Sequence, residues 1–255
     1  LQTPSSSVRP LTGHKAQSDR GCKHPAQHFD LPWSITMPSH LTAPPLALTP
    51  STRARLEAAD GLLVEKFAEA ALPTKHGDFR IVAFINNLDF KEHVALVRGD
   101  LAAQAIVPTR IHSECVTGDV FGSLKCDCGE QLEHAQKELG NSPAGVILYM
   151  RQEGRGIGLA NKIKAYSLQD QGMDTVEANL HLGFDDDLRD YTVAAEMLRL
   201  LGVDNISLIT NNPRKAEGLR ANGITVTERQ PLIILPNPHN KDYLDTKRDK
   251  SGHLL

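Results

Sequence analysis

Three of the four cysteines in this chain fall within fourteen residues, at Cys115, Cys126 and Cys128. Thiolates so placed can hold a tetrahedral zinc ion and leave its fourth position open, the arrangement of a catalytic site. The same residues also suit a structural zinc completed by a remote histidine such as His112 or His134, or three buried thiols without metal. The fourth, Cys22, stands far off. A Cys-x-Cys pair is an awkward local disulfide, so the pattern points to a reducing compartment.

Residues suited to anions lie close by. Arg110-Ile111-His112-Ser113-Glu114 runs directly into Cys115 and offers basic and polar groups beside the metal; a hydrated strand end is the competing reading. In Arg151-Gln-Glu-Gly-Arg-Gly-Ile-Gly158, Gly154, Gly156 and Gly158 let the backbone approach a ligand. A helix start there can hold phosphate, and Arg151 and Arg155 can neutralise it. The glycine spacing matches neither a Walker loop nor a dinucleotide fingerprint, and an ordinary glycine-rich turn is the alternative. Thr210-Asn-Asn-Pro-Arg-Lys215 repeats the logic at a second strand end, with a solvated helix cap as its alternative. Asp185-Asp-Asp-Leu-Arg-Asp190 sets Asp187 beside Arg189; as a bare pattern it reads as a charged helix N-terminus. One candidate metal and three phosphate-friendly loops imply a zinc enzyme acting on a phosphorylated substrate.

These loops need strands to carry them. Arg80 to Phe84, His93 to Val97 and Ala105 to Ile111 have strand-like apolar patterns, the last broken by Pro108, which suggests an edge or a bend. Gly145 to Met150, Ile206 to Thr210 and Ile224 to Glu228 read as further strands. Glu130 to Leu139, Gly158 to Gln171, Arg189 to Leu201 and Pro213 to Asn222 read as helices. Strand-helix alternation in the second half after a strand-rich first part predicts an α/β fold, layered α/β/α on a mixed β-sheet.

Net charge of −3 on 255 residues excludes a protein that holds nucleic acid by bulk attraction, and no apolar run approaches membrane-spanning length. Residues 1–55 are rich in Pro, Ser and Thr and are expected to form a disordered extension before a catalytic domain over 56–255. No apolar segment there suits a secretory signal, and Asp19 and Asp30 argue against a transit peptide.

The motifs resemble GTP cyclohydrolase II. The likeness is carried by Arg110 to Asp119, Leu124-Lys-Cys-Asp-Cys-Gly129, Arg151 to Arg155, Asp174-Thr-Val-Glu-Ala-Asn179 with Leu182-Gly-Phe184, Thr210 to Lys215, and Tyr243-Leu-Asp-Thr-Lys247. It runs from about Leu63 to the C-terminus. The resemblance implies conversion of GTP to 2,5-diamino-6-(5-phosphoribosylamino)pyrimidin-4(3H)-one with release of formate and diphosphate, the first step of riboflavin synthesis. It implies one Zn2+ per subunit on Cys115, Cys126 and Cys128, Mg2+ with the triphosphate, a homodimer and a cytoplasmic location. Arg110, Ile111, His112, Ser113, Glu114, Gln131, Glu153, Gly154, Arg155, Thr175, Thr210 and Lys215 match the family's GTP-contacting positions. Of these, Glu153 suits the guanine N1–H and amino edge, while Arg155 and Lys215 suit phosphates.

Tyr166 matches the tyrosine placed to help at the ring, Asp187 the proton acceptor and Arg189 the nucleophile at the α-phosphorus. A guanidinium is protonated at any working pH, so charge stabilisation is the role chemistry gives Arg189 first. The residues before 56 are too few for the butanone-phosphate synthase domain fused in some relatives, so a single activity is expected. The alternatives are a related enzyme that stops at the formamide or serves another pathway, and a GTP-binding regulator without catalysis. A zinc nucleobase deaminase is a third idea, but its His-x-Glu and Pro-Cys-x-x-Cys arrangement is absent.

Overall fold

Pro50, one of the prolines assigned to the extension, instead opens a helix, α1 (Pro50–Ala58). Proline suits the first helical position, where its missing N–H has no partner to lose, and Thr49 caps the turn by accepting from the Thr52 N–H at 3.3 Å. Leu56 then packs with no exposed surface. The folded chain therefore begins before the expected boundary at residue 55. The computed structural model describes residues 48–254, so the rest of the expected extension, residues 1–47, lies outside the described residues.

Seven strands form one mixed sheet in the order β1-β2-β3-β5-β4-β6-β7. They are β1 (Val64–Thr74), β2 (Gly77–Asn86), β3 (His93–Arg98), β4 (Val107–Ser113), β5 (Gly145–Met150), β6 (Asn205–Ile209) and β7 (Thr225–Gln230). The β1, β2, β3 and β5 neighbours pair antiparallel; the β5, β4, β6 and β7 neighbours pair parallel. Strand β5, Gly-Val-Ile-Leu-Tyr-Met, is almost wholly buried, as a strand covered on both faces must be.

Of the edge or bend expected at Pro108, the edge is corrected, because β4 lies between β5 and β6. Pro108 stands opposite Ser207 in the ladder with β6, and pairing with β5 begins one residue later, at Thr109.

Helices cover both faces, giving the expected three layers. On one side α6 (Thr192–Leu200) and α7 (Pro213–Ala221) bring Met197, Leu198 and Leu219 onto Val146, Leu148 and Leu208. On the other, α3 (Cys128–Gly140) sets Ala135 and Leu139 against Phe79, Ile147 and Ile209. Burying such side chains contributes roughly 1.5–3 kcal/mol each. The expected helix from Arg189 begins only at Thr192, where the Asp190 carboxylate accepts from the Thr192 N–H at 2.7 Å. Asp185 to Asp190 is consequently a loop and not a helix N-terminus, which frees Arg189 for other contacts.

Parallel β4, β5 and β6 end at the same edge of the sheet, so the loops that follow them converge there. From β4 the chain crosses to β5 through α3, and later returns past β4 to β6 with α6 on the opposite face. Such a reversal opens a crevice at the carboxyl ends of the strands, where open α/β sheets place ligands.

Candidate active site

The β4 end leads into Cys115 and the four-residue helix α2 (Val116–Asp119), while Cys126 and Cys128 sit at the start of α3. The three Sγ atoms lie within 4.8 Å of one another, and those of Cys115 and Cys126 are 3.7 Å apart. Zinc–sulfur bonds of about 2.3 Å at tetrahedral angles require sulfur separations of about 3.8 Å, so the donor set fits that ion. Two glycines permit this closeness. A Cβ on Gly118 would lie 2.9 Å from Cys126 Sγ, and one on Gly129 would lie 2.4 Å from the Gly118 carbonyl oxygen.

Neither candidate histidine joins the thiols among the described residues. His112 Nε2 meets the Asp119 carboxylate at 3.0 and 3.1 Å, and its ring stacks on Tyr149. Asp119 also accepts from the Cys115 N–H and the Tyr149 hydroxyl, each at 2.9 Å, so it fixes the first cysteine's backbone. His134 is exposed and faces Glu138. The histidine-completed structural site is therefore not the arrangement found.

The thiols do not titrate alike. Hydrogen bonds from Cys126 and Cys128, helped by the nearby Lys162 ammonium, hold the Cys115 thiol well below its ordinary range. Accordingly, the hydrogen bond to ionised Cys115 pushes Cys126 up to about 11 and Cys128 upward too. Tyr166, on α4 (Leu159–Gln169), lines the same cleft with its hydroxyl 3.4 Å from Thr117 Oγ1, and burial raises its pKa.

Cations line the other side. Arg110 is buried and donates to the Ile209 carbonyl at 3.0 Å and to Gln131 Oε1 at 2.6 Å. Burial pushes its pKa down to about 10, which leaves it charged at neutral pH. Lys215 donates to the Ile111 carbonyl at 2.7 Å; burial first, then Arg110 and Arg189, drives its pKa far down. Arg189 is gripped by Asp187 through Nε at 2.7 Å and Nη2 at 2.6 Å. Burial opposes its charge, but these bonds outweigh burial and hold its pKa above the ordinary value. Arg110, Lys215 and Arg189 thus stand on one wall of the cleft, where an entering anion would favour the charged form of Lys215.

Between β5 and α4, Glu153–Gly156 forms a 3₁₀ turn in which Gly154 has φ 62° and Arg155 φ 60°. The left-handed conformation costs a non-glycine residue about 1–2 kcal/mol. Contacts to Arg155 hold it there: its guanidinium pairs with Asp186 and donates to Ser251 Oγ at 3.0 Å, and its carbonyl accepts from the Leu188 N–H at 3.0 Å.

The cleft holds about 1030 Å³ of non-protein space, part of it open to solvent. Sixteen of the eighteen expected residues line it. The exceptions are Ile111, whose side chain is core and whose carbonyl holds Lys215, and Asp187, which reaches the cleft through Arg189. Thr175 lies on α5 (Thr175–His181), and Thr210 accepts from the Asn212 N–H at 3.0 Å.

Glu153 lines the cleft with its carboxylate already engaged. Its Oε1 accepts from Lys162 Nζ at 2.8 Å and the Gly154 N–H at 2.9 Å, and its Oε2 from the Val116 N–H at 2.7 Å. A carboxylate offers about four lone-pair directions, so little acceptor capacity is left for a base edge.

Sequence reasoning missed Lys162, Tyr243, Lys247 and His253, all of which line the cleft. Lys162 stands four residues before Tyr166, a spacing that puts both on one helix face. Tyr243 and Lys247 belong to α8 (Lys241–Asp249) and bound a motif already visible, although no chemistry was read from it.

A family model described as GTP cyclohydrolase II matches residues 65–231. A GTP cyclohydrolase-2 of Proteus mirabilis (strain HI4320) is 56% identical over 192 residues, covering 75% of this chain and 96% of that relative. A riboflavin biosynthesis protein RibBA of Bacillus mycoides (strain KBAB4) is 54% identical over 193 residues, or 76% of this chain. The chain spans about half the length of that second relative, 49%.

Proposed function

Because this chain belongs to the GTP cyclohydrolase II family, we propose that it hydrolyses GTP to 2,5-diamino-6-(5-phosphoribosylamino)pyrimidin-4(3H)-one, formate and diphosphate in riboflavin biosynthesis. The observation that carries this reading is one cleft with a thiol trio on one side and Arg110, Arg189 and Lys215 on the other. A nucleoside triphosphate has the matching polarity, a base for one end and a polyanion for the other.

Cys115, Cys126 and Cys128 would hold zinc, which when bound supplies Lewis acidity and activation of water at neutral pH. The chain's own residues do the rest. Tyr166 moves or holds a proton at the base, its hydroxyl steadied by Thr117. Arg155 and Lys215 take phosphate charge, and Gln131 orients Arg110 for the same task.

Arg189 stabilises charge at the α-phosphate rather than attacking it. A guanidinium clamped by Asp187 on two nitrogens keeps its proton and cannot act as a nucleophile. Asp187 is the residue that aims it. Gly154 brings backbone close to the nucleotide, and Thr175, Thr210, His112, Ser113 and Glu114 complete the wall.

The reading carries with it magnesium on the triphosphate, a homodimer and a cytoplasmic location. Free thiols at Cys115, Cys126 and Cys128 favour a reducing compartment. Among the described residues no helix is long and apolar enough to cross a membrane.

Mass spectrometry of the products formed from GTP, zinc and magnesium tests the proposal. Formate, diphosphate and the diaminopyrimidine monophosphate together are expected. A product that keeps its formyl group would move the chain to the related activity that stops at the formamide, and unchanged GTP would point to a regulator.

A further inference from the structure

Lys162 is buried on α4 with no role in the chemistry above, and an ammonium is costly to bury unless paired. Its Nζ lies 3.1 Å from Cys115 Sγ, 2.9 Å from Thr117 Oγ1 and 2.8 Å from Glu153 Oε1. Among the described residues it is the only cation within hydrogen-bond reach of a cysteine sulfur.

Three elements meet at this one group. Cys115 and Thr117 come from the N-cap and first turn of α2 after β4, Glu153 from the 3₁₀ turn after β5, and Lys162 itself from α4. Glu153 closes the arrangement, because its Oε2 accepts from the Val116 N–H, the residue next to Cys115. The Cys115 segment is thus held from its sulfur, its following N–H and its threonine hydroxyl by a single Lys-Glu pair.

We infer that Lys162 is a positioning residue for the metal centre, which braces the Cys115 thiolate against Glu153 and thereby sets the affinity of the three-cysteine site. Glu153 belongs to the same brace, so its carboxylate serves the metal loop rather than the guanine edge. The inference rests on the zinc reading of the site and adds to it a residue that holds the ligands without being one. Partners of this kind change metal affinity by about 10- to 100-fold when removed.

The test is zinc affinity, measured on the full chain by competition with a chromophoric chelator, for wild type, Lys162→Met, Lys162→Arg and the exposed control Lys164→Met. Lys162→Met is expected to bind zinc about 10- to 100-fold more weakly. Lys162→Arg, which keeps charge and donors, should recover much of that loss, and Lys164→Met should match wild type. Melting of the metal-free proteins separates folding from binding. If Lys162→Met is unfolded, the arginine variant decides: affinity near wild type supports the brace, and affinity unchanged from a charge-free Lys162→Gln variant overturns it. Wild-type affinity in folded Lys162→Met also overturns it while leaving the metal reading intact. A wild-type chain that binds no zinc would instead sink the metal reading.

Discussion

Replacing Lys247 with methionine tests whether charge clasps the C-terminal helix α8 to the thiol loop. Lys247 Nζ meets Asp127 Oδ1 at 2.7 Å, with side chains 10% and 1% exposed. Asp127 lies between two of the three cysteines, and its other oxygen accepts from Gln131 Nε2 at 2.5 Å. Gln131 in turn holds Arg110, so the clasp reaches the cationic side of the cleft.

Two ions buried this deeply gain little net stability from pairing, because desolvation offsets their attraction. Removing one is different, since it strands the other. Burial pushes the Asp127 pKa up, but Lys247, with hydrogen bonds from Gln131 and the backbone, holds it below the ordinary 3.8. Without Lys247 the carboxylate must stay charged in an apolar place, take a proton, or let α8 lift away. The expected cost is about 3–5 kcal/mol. At roughly 2–4 °C per kcal/mol for a domain of this size, the melting midpoint should fall by roughly 6–20 °C.

Because α8 is near the end of the chain, the loss should show first as local opening, so hydrogen exchange across Lys241–Asp249 is the companion assay. Asp127→Asn added to Lys247→Met removes the stranded charge and should restore much of the midpoint. Unchanged melting and unchanged exchange in the single variant would refute the reasoning.

Four other outcomes are expected. Cys126→Ser should abolish zinc binding and formate release together; full activity in a zinc-free variant would end the metal mechanism. Gly118→Ala places a methyl 2.9 Å from Cys126 Sγ, so zinc affinity should drop while the fold persists, and unaltered affinity would contradict the close packing. In acid, Asp127 and Asp187 both have folded pKa values below 3.8: burial raises them, but Lys247 and Arg189 respectively, together with further hydrogen bonds and charges, lower them more. Their stabilisation should be complete above pH ~4 and drain away as pH falls through the folded values; a midpoint flat down to about pH 2 would argue against it. Deleting residues 1–47 should leave turnover largely intact, since the matched family region begins at residue 65, and a large fall in turnover would show that the segment serves the site.

Much of the site was legible because its chemistry is local. The Cys-Asp-Cys pair, the Glu153–Arg155 turn and the Thr210–Lys215 cap each sit beside a strand whose apolar run is plain, as in Gly145–Met150. What stayed hidden depends on distance along the chain. Lys162 meets Cys115 across 47 residues and Lys247 meets Asp127 across 120, separations no spacing rule can bridge.

Strand β1 escaped for another reason. Its Glu-Lys-Phe-Ala-Glu-Ala-Ala run favours helix, and the strand exists because it pairs with β2 over nearly its whole length. The late start of α6 also could not be read, because Arg189 suits a helix until Asp187 claims its guanidinium. Pro108 looked like an edge marker, yet it stands inside the sheet, opposite Ser207 of β6 and one residue before pairing with β5 begins.

Zinc titration of metal-free protein, with formate and diphosphate followed at each addition, tests the central claim most directly. Both products should rise together and level off at one zinc per chain. Formate released at full rate before any zinc is added would contradict it.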